Sequence, residues 1–244
     1  MEIKSLSIVI PAYNEERRLP STLEDLRTYQ KQCPIKIQEV LVVDDGSKDG
    51  TYALVQKLSQ NWPELKALRL DMNQGKGAAI RRGVLDSSAE WILVADADQS
   101  TPWNQLEILA AKVRENSIDV AIASRAHLQS DIQVRQTWIR QNMGKTFNRI
   151  LRLVIGLPFR DTQCGFKLFH NSAEVKRIFT ELSTLRFAYD VEILVRLFRL
   201  GQKILEVPVR WDHKDESRVH IVYDSIEMLF RILKLRISIM LRKK

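Results

Sequence analysis

Short apolar runs alternate with amphipathic segments throughout the first 125 residues, and this rhythm leaves few possible folds. Because the runs are continuously apolar, they predict strands that are buried on both faces. One helical segment between successive strands predicts right-handed crossovers and a largely parallel, doubly wound α/β sheet. The predicted strands are Leu6–Pro11, Gln38–Asp44, Leu65–Leu70, Trp91–Ala95 and Asp119–Ala123.

The intervening helices are predicted from apolar residues three and four positions apart. They are Glu15–Gln32, a helix capped by Ser47 that runs through Leu58, Gly77–Leu85 and Asn104–Arg114. The second half has a different pattern. It predicts a basic helix over Val134–Leu157, a strand or crossing loop over Arg160–Phe169, a helix over Asp190–Leu200, a strand over Lys203–Val209 and a basic amphipathic helix over Tyr223–Leu241.

Charge is distributed unevenly along the 244 residues. The net charge of +8 divides into −3 over residues 1–122 and +11 over residues 123–244. The second half therefore favours an anionic partner. Nucleic acid is disfavoured, because the basic 134–157 segment has only Trp138 and Phe147 for base stacking and the strand-end carboxylates would repel a phosphate backbone.

Two cysteines, Cys33 and Cys164, are too few for a disulfide framework and favour a reduced compartment. The start of the chain has no signal-peptide pattern, and no run approaches the roughly 20 apolar residues of a spanning helix. We therefore expect a protein that does not cross a membrane but can lie on the surface of one.

Unusual polar groups follow the predicted strands, where doubly wound sheets bind ligands. Asp96-Ala97-Asp98 offers two carboxylates, and oxygen ligands suit Mg²⁺ or Mn²⁺, which can bridge a diphosphate. The alternative is a helix cap with a solvated neighbour. The Asp44–Thr51 run contains more acids than a turn requires, and Gly75-Lys76-Gly77 can bring backbone and a cation to phosphate. Neither a Walker loop nor a dinucleotide fingerprint is present.

Taken together, these motifs resemble those of family 2 glycosyltransferases with the GT-A fold. Pro11–Glu15, Asp44–Thr51, Gly75–Gly77 and Asp96–Asp98 have the order and approximate spacing of that family. Motifs in the second half resemble its polyprenyl-phosphate branch, and most closely the dolichyl-phosphate β-glucosyltransferases. They are Ser124–Leu128, Arg160–Phe169 and Phe187–Glu192.

The resemblance implies transfer of glucose, with inversion, from UDP-glucose to a dolichyl- or undecaprenyl-type phosphate, with Mg²⁺ or Mn²⁺ as cofactor. It implies that the nucleoside is held by Pro11, Tyr13, Glu15, Asp44 and Asp45, while Lys76 approaches the nucleotide. Asp96 and Asp98 would hold the metal and the diphosphate. Arg125 and Arg140 would bind the acceptor phosphate.

Asp161 is the candidate for the carboxylate nearest the reaction, either as a base or as an organiser of basic neighbours; the alternative is a structural carboxylate paired with Arg160 or Lys167. Asp190 and Glu192 are two residues apart, so at most one is expected to face the site. Cys164 is expected to be a buried small residue rather than a nucleophile.

We expect one GT-A domain over residues 1–214, with a nucleotide and metal half (1–125) and an acceptor half (126–214). Residues 215–244 are expected to form a basic amphipathic helix that associates with the membrane surface. Together with the lipid acceptor that the resemblance implies, this helix leads us to expect peripheral attachment at the cytoplasmic face of a membrane. The alternatives in the same enzyme class are a GDP-mannose-dependent polyprenyl-phosphate mannosyltransferase and a transferase with a soluble glycan acceptor.

Overall fold

A seven-stranded sheet organises the protein in the computed structural model. The structure describes residues 2–134, 154–186, 188–212, 214, 228, 230–234 and 237. The strands are β1 (Ser5–Ala12), β2 (Lys36–Asp44), β3 (Leu65–Arg69), β4 (Trp91–Val94), β5 (Val120–Ser124), β6 (Asp131–Val134), β7 (Lys167–His170), β8 (Ile204–Pro208) and β9 (Arg210–Asp212). The main sheet has the order β3-β2-β1-β4-β7-β5-β8, and β6 pairs with β9 in a separate small sheet.

Six helices of the described residues flank the sheet. They are α1 (Leu19–Gln30), α2 (Thr51–Ser59), α3 (Lys76–Asp86), α4 (Gln105–Asn116), α5 (Ala173–Thr180) and α6 (Tyr189–Arg199). The alternating α/β order and the mainly parallel sheet confirm the predicted fold class.

Successive strand residues enter opposite layers of the core, as the period of a β-strand requires. In β2, Val40 and Val42 pack into one layer, and Leu41 and Val43 pack into the other. Helices α1, α2 and α4 cover the first layer, whereas α3, α5 and α6 cover the second. This two-sided burial explains why the strands read as continuous apolar runs.

The 160–169 segment was the ambiguous part of the sequence prediction. Its last residues form β7, which lies between β4 and β5 and is antiparallel to both. An antiparallel strand can enter a parallel sheet without a crossover helix, so the alternation of strands and helices gave no signal for it.

Two local predictions were wrong. Ser47 does not cap α2, which begins at Thr51; instead, the Ser47 hydroxyl accepts a 2.8 Å hydrogen bond from Asn14 N and joins the loops after β1 and β2. The helix predicted from Val134 does not begin there, because Val134 ends strand β6. The remaining part of that prediction up to residue 153 lies outside the described residues.

A short part of the C-terminal segment packs on the second core layer. Met228 and Ile232, one helical turn apart, are buried there. Phe230, Leu233 and Ile237 are exposed. The rest of the helix predicted over residues 215–244 lies outside the described residues. Where residues are described, no helix is both long enough and apolar enough to cross a membrane.

Candidate active site

The carboxyl ends of β1, β2 and β4 meet at one edge of the sheet, because these strands are parallel neighbours. The loops that follow them carry the sequence-predicted donor residues. β5 is parallel to these strands and lies one strand beyond β4, across β7. Its end carries Arg125. The fold therefore brings the predicted donor and acceptor groups to the same edge.

Asp96 follows β4 and faces Lys76, the first residue of α3. The Lys76 Nζ lies 2.5 Å from Asp96 Oδ1, and the two side chains retain 24% and 31% exposure. Burial disfavours the charged carboxylate, but Lys76 and the more distant Lys167 and Arg125 outweigh this and lower the pKa of Asp96. Asp96 is therefore ionised, and it is accessible to a ligand.

Gly165 lies directly against Asp96. A Cβ at this position would overlap with the Asp96 carboxylate. Only glycine allows this close approach, so the segment that leads into β7 forms a wall of the site. The sequence motif around Gly165 indicated a family resemblance but not this contact.

Asp98 has the second carboxylate of the pair. Its Oδ1 accepts a 2.9 Å hydrogen bond from Ser100 N, and its Oδ2 has no hydrogen-bond or ion-pair partner among the described residues. No cluster of three acidic, histidine or cysteine side chains that could hold a metal occurs within the described ranges. Two carboxylates with an open oxygen still fit Mg²⁺ or Mn²⁺, since diphosphate oxygens and water commonly complete such sites.

Asp44 and Asp45 are buried at the end of β2 and bonded within the protein. Asp44 lies 3.1 Å from Arg69 Nε and accepts hydrogen bonds from Ser47 N. Asp45 accepts 2.8 Å hydrogen bonds from Gln74 N and from the N–H of Gly75. Burial raises the pKa of Asp45, although these N–H groups oppose the effect. Both carboxylates hold loops together in this structure.

The β1 loop contains the other predicted nucleoside residues. Pro11 is buried within β1, and Tyr13 is half-buried at its end. Glu15 is buried and binds Arg18 through both carboxylate oxygens, at 2.6 and 2.7 Å. A surface cleft of about 620 Å³ lies beside it, lined by residues 14–18 and 48–49. The cleft therefore lies between the loop after β1 and the loop after β2.

Arg125 is held on two sides. Its Nε and Nη2 donate to Asp161 at 2.7 and 3.0 Å, and its guanidinium lies 5.5 Å from the centroid of the Trp211 ring. Burial opposes ionisation of Asp161, but Arg125 and the N–H of Gln163 outweigh it and lower the pKa of Asp161 to about 2. Such a weak base cannot readily accept a proton near neutral pH. Arg140, the second predicted phosphate ligand, lies outside the described residues.

Asp190 and Glu192 point in different directions, as their spacing predicts. Asp190 forms a buried ion pair with Lys167, whose Nζ also donates to Cys164 O. Burial raises the pKa of Asp190, and Lys167 and Lys76 oppose this. Glu192 bonds to the 183–184 segment instead.

Sequence reasoning missed Trp211 as part of the site, and it named Lys167 only as an alternative partner of Asp161, whereas Lys167 pairs with Asp190. The available signal for the site role of Lys167 was a lysine inside the otherwise apolar run Phe166–Phe169. For Trp211 no such signal existed, because its role comes from the contact with Arg125. Cys164 is 1% exposed, and burial raises the pKa of its thiol to about 11, which agrees with a buried small residue rather than a nucleophile.

Comparison with known families identifies the chain. The profile described as "Glycosyl transferase family 2" matches residues 7–176, more than half of the sequence. The chain belongs to glycosyltransferase family 2. This glycosyltransferase is 35% identical to the dolichyl-phosphate beta-glucosyltransferase of Dictyostelium discoideum, over 97% of the chain and 75% of that relative. It is also 35% identical to the Homo sapiens protein of the same name, over 96% of the chain and 75% of that relative.

The GT-A fold of this glycosyltransferase also appears in solved structures. One is glucosyl-3-phosphoglycerate synthase from Mycobacterium tuberculosis in complex with Mn²⁺, UDP-glucose and phosphoglyceric acid. The two structures align with a TM-score of 0.65 and 18% identity, over 96% of this chain and 79% of the other. At this identity the likeness shows the fold, which confirms the fold implied by the motifs.

Proposed function

We propose that this glycosyltransferase moves glucose from UDP-glucose to a polyprenyl phosphate, with inversion at the anomeric carbon. The observation that carries the proposal is the placement of Asp96 with Lys76 at the end of β4 and of Arg125 at the end of β5. β7 alone separates these strands, so the ends of β4 and β5 are about 10 Å apart by strand spacing. That distance leaves room for one sugar between a diphosphate and an acceptor phosphate. The names of the 35% identical relatives support the lipid-phosphate acceptor.

On the donor side, Asp96 and Asp98 would hold Mg²⁺ or Mn²⁺, and Lys76 places a cation beside the diphosphate. When bound, the metal supplies charge neutralisation to the leaving diphosphate. A neutralised UDP group leaves more readily, since its developing negative charge is compensated. Asp98 has an oxygen available for this role, as described above.

The nucleoside lies against the loops after β1 and β2 in this proposal. Pro11, Tyr13 and Glu15 lie on one side of the nucleoside, and Glu15 also lines the cleft described above. Asp44 and Asp45 act through the loops that they hold, because their carboxylates are already bonded within the protein. This refines the direct nucleoside contacts that the family resemblance implies.

On the acceptor side, Arg125 orients the lipid phosphate, and Arg140 is the proposed second ligand. A phosphate oxygen forms a bond to the anomeric carbon while the bond from that carbon to UDP breaks. The phosphate is largely ionised near neutral pH, so it needs orientation more than a strong base. The low pKa of Asp161 and its contact with Arg125 support an organising role for this carboxylate.

The test is release of UDP from UDP-glucose by the purified protein. We expect release only when a polyprenyl phosphate and Mg²⁺ or Mn²⁺ are both present. A panel that includes GDP-mannose and a soluble glycan separates the proposed reaction from its alternatives. Asp98→Ala should abolish turnover, whereas retained turnover would contradict the metal role. An unchanged acceptor KM in Arg125→Ala or Arg140→Ala would contradict the phosphate site.

The C-terminal segment attaches the domain (residues 1–214) to the cytoplasmic face of the membrane. Its exposed Phe230, Leu233 and Ile237 lie opposite the buried Met228 and Ile232 on a helix. A helix that packs on the protein with one face and exposes apolar side chains on the other suits the membrane interface.

Basic side chains border the exposed stripe. Lys234 Nζ lies 4.6 Å from the centroid of the Phe230 ring, and Glu227 is the only acid after Asp224. Each such cation contributes about 1 kcal/mol near an anionic bilayer. Cosedimentation with vesicles of phosphatidylglycerol and phosphatidylcholine should fall in Phe230→Ser, but not in Ile108→Ser, which changes an exposed apolar side chain of α4. Equal binding by both variants would contradict the attachment.

A further inference from the structure

Glu192 is the most heavily hydrogen-bonded buried acid outside the reacting groups of the described structure. Its side chain is fully buried on α6 and accepts hydrogen bonds from four groups of the 183–184 segment. The shortest are from Thr184 N at 2.8 Å and Thr184 Oγ1 at 2.6 Å. Arg196 adds two further bonds, at 2.9 and 2.7 Å. Glu192 therefore anchors this segment to α6.

The anchored segment continues to the glycine turn that begins α3. Leu185 O accepts a 3.0 Å hydrogen bond from Ala78 N. Gly75 has a φ of +106°, and a Cβ there would lie 2.6 Å from Leu185 O. The segment and the turn are thus in direct backbone contact, and no larger residue fits between them.

The same turn presents the donor cation. Lys76 lies within it and faces Asp96, while its neighbour Gly75 donates a hydrogen bond to Asp45. A lysine side chain is flexible, so its place depends on the backbone that carries it. The contacts form a continuous path from Glu192 through the 183–186 segment to Lys76.

We propose that Glu192 is a positioning residue for donor binding. It fixes the 183–186 segment, which fixes the glycine turn and so places Lys76 at the donor diphosphate. The inference rests on the donor role of Lys76 in the proposed function. A purely structural role would instead lower the folded fraction and affect donor and acceptor alike.

The test measures UDP affinity by titration calorimetry in the presence of Mg²⁺, on the full chain. Glu192→Gln removes the charge that anchors the segment, and we expect UDP to bind about tenfold more weakly. The acceptor KM should stay unchanged. The matched control is Glu115→Gln, which neutralises an acid in a surface ion pair and should leave UDP affinity unchanged. Unaltered UDP affinity in Glu192→Gln, or an equal loss for both substrates, would overturn the proposal.

A double variant tests the path itself. In a Lys76→Met background, Glu192→Gln should weaken UDP binding by less than twofold, because the group that it positions is already absent. A further tenfold loss would show that Glu192 acts independently of Lys76 and would overturn the inference.

A milder variant guards against misfolding. Thr184→Val removes the hydroxyl that bonds Glu192 and should weaken UDP binding severalfold. The control is Thr180→Val, at an exposed position of α5. Equal UDP affinity in these two folded variants would overturn the proposal. Absence of UDP binding by the unaltered protein would refute the proposed function instead, so the two failures are distinguishable.

Discussion

Replacing Asp161 by Asn tests how the acceptor arginine is held. The substitution keeps the shape of the side chain but removes the charge that faces Arg125. Asp161 is 1% exposed, whereas Arg125 retains 30% exposure and can be partly solvated. The loss should therefore fall below the roughly 3 to 5 kcal/mol that breaking a fully buried ion pair entails.

The pKa of Asp161 gives the magnitude. It falls from an ordinary 3.8 to about 2 in the folded protein, because Arg125 and neighbouring N–H groups outweigh burial. One pKa unit corresponds to about 1.4 kcal/mol, so ionised Asp161 stabilises the fold by about 2 to 3 kcal/mol at pH 7. We expect Asp161→Asn to lower the free energy of unfolding by that amount.

The pH dependence has a definite sign. Because the folded pKa is depressed, the stabilisation is present above the unfolded pKa near 4 and is lost as the pH falls towards 2. Urea unfolding of both proteins at pH 7 and pH 3 should show a difference that falls by about half at the lower pH. The matched control is Asp86→Asn, which breaks an exposed Arg–Asp pair on α3 and should change stability by less than about 0.5 kcal/mol.

Kinetics separate an organising role from base catalysis. If Asp161 holds Arg125, the acceptor KM rises in Asp161→Asn and the UDP-glucose KM does not. Equal unfolding free energies of the two proteins at pH 7 would refute the electrostatic reasoning. A loss confined to kcat, with the acceptor KM unchanged, would refute the organising role.

Three further substitutions test the remaining contacts. Lys76→Met should raise the UDP-glucose KM about tenfold. It should also move the acidic limb of the pH–rate profile to higher pH, because Lys76 lowers the pKa of Asp96. An unmoved acidic limb would contradict the interaction between Lys76 and Asp96. Trp211→Leu removes the aromatic face beside Arg125 and should raise the acceptor KM about two- to fivefold, with initial rates at varied UDP-glucose showing no change in the donor KM. Gly165→Ala forces a Cβ into the Asp96 carboxylate and should reduce turnover at least about tenfold. Turnover at the wild-type rate would show that the segment around Gly165 can move away from Asp96.

Most of the sheet could be predicted from sequence because parallel strands buried on both faces leave a strong local pattern. β2 was predicted from residue 38 to Asp44 and runs from Lys36 to the same Asp44. β7 was harder, since its place between β4 and β5 is set by pairing over more than 40 residues of sequence. Local periodicity contains no information about such a partner.

The positions of the donor residues at the sheet edge could also be predicted from sequence, whereas some of their roles could not. Asp96 follows a buried strand, so its position at the sheet edge follows from topology alone. Whether a carboxylate faces solvent or the protein depends on neighbouring loops. Asp45 accepts from backbone N–H groups about 30 residues away, and the sequence has no marker for those bonds.

The position of β7 also limits which parts of the protein can be replaced independently during evolution. Within the sheet, β7 is the only strand between β4, which ends near Asp96, and β5, which ends near Arg125. β7 belongs to the later half of the chain. A fragment of residues 1–125 would leave β5 without either of its neighbours, β7 and β8. The nucleotide half and the acceptor half therefore cannot be replaced independently of each other. A new acceptor preference must therefore arise within the loops of one continuous sheet, whose donor site lies only one strand away.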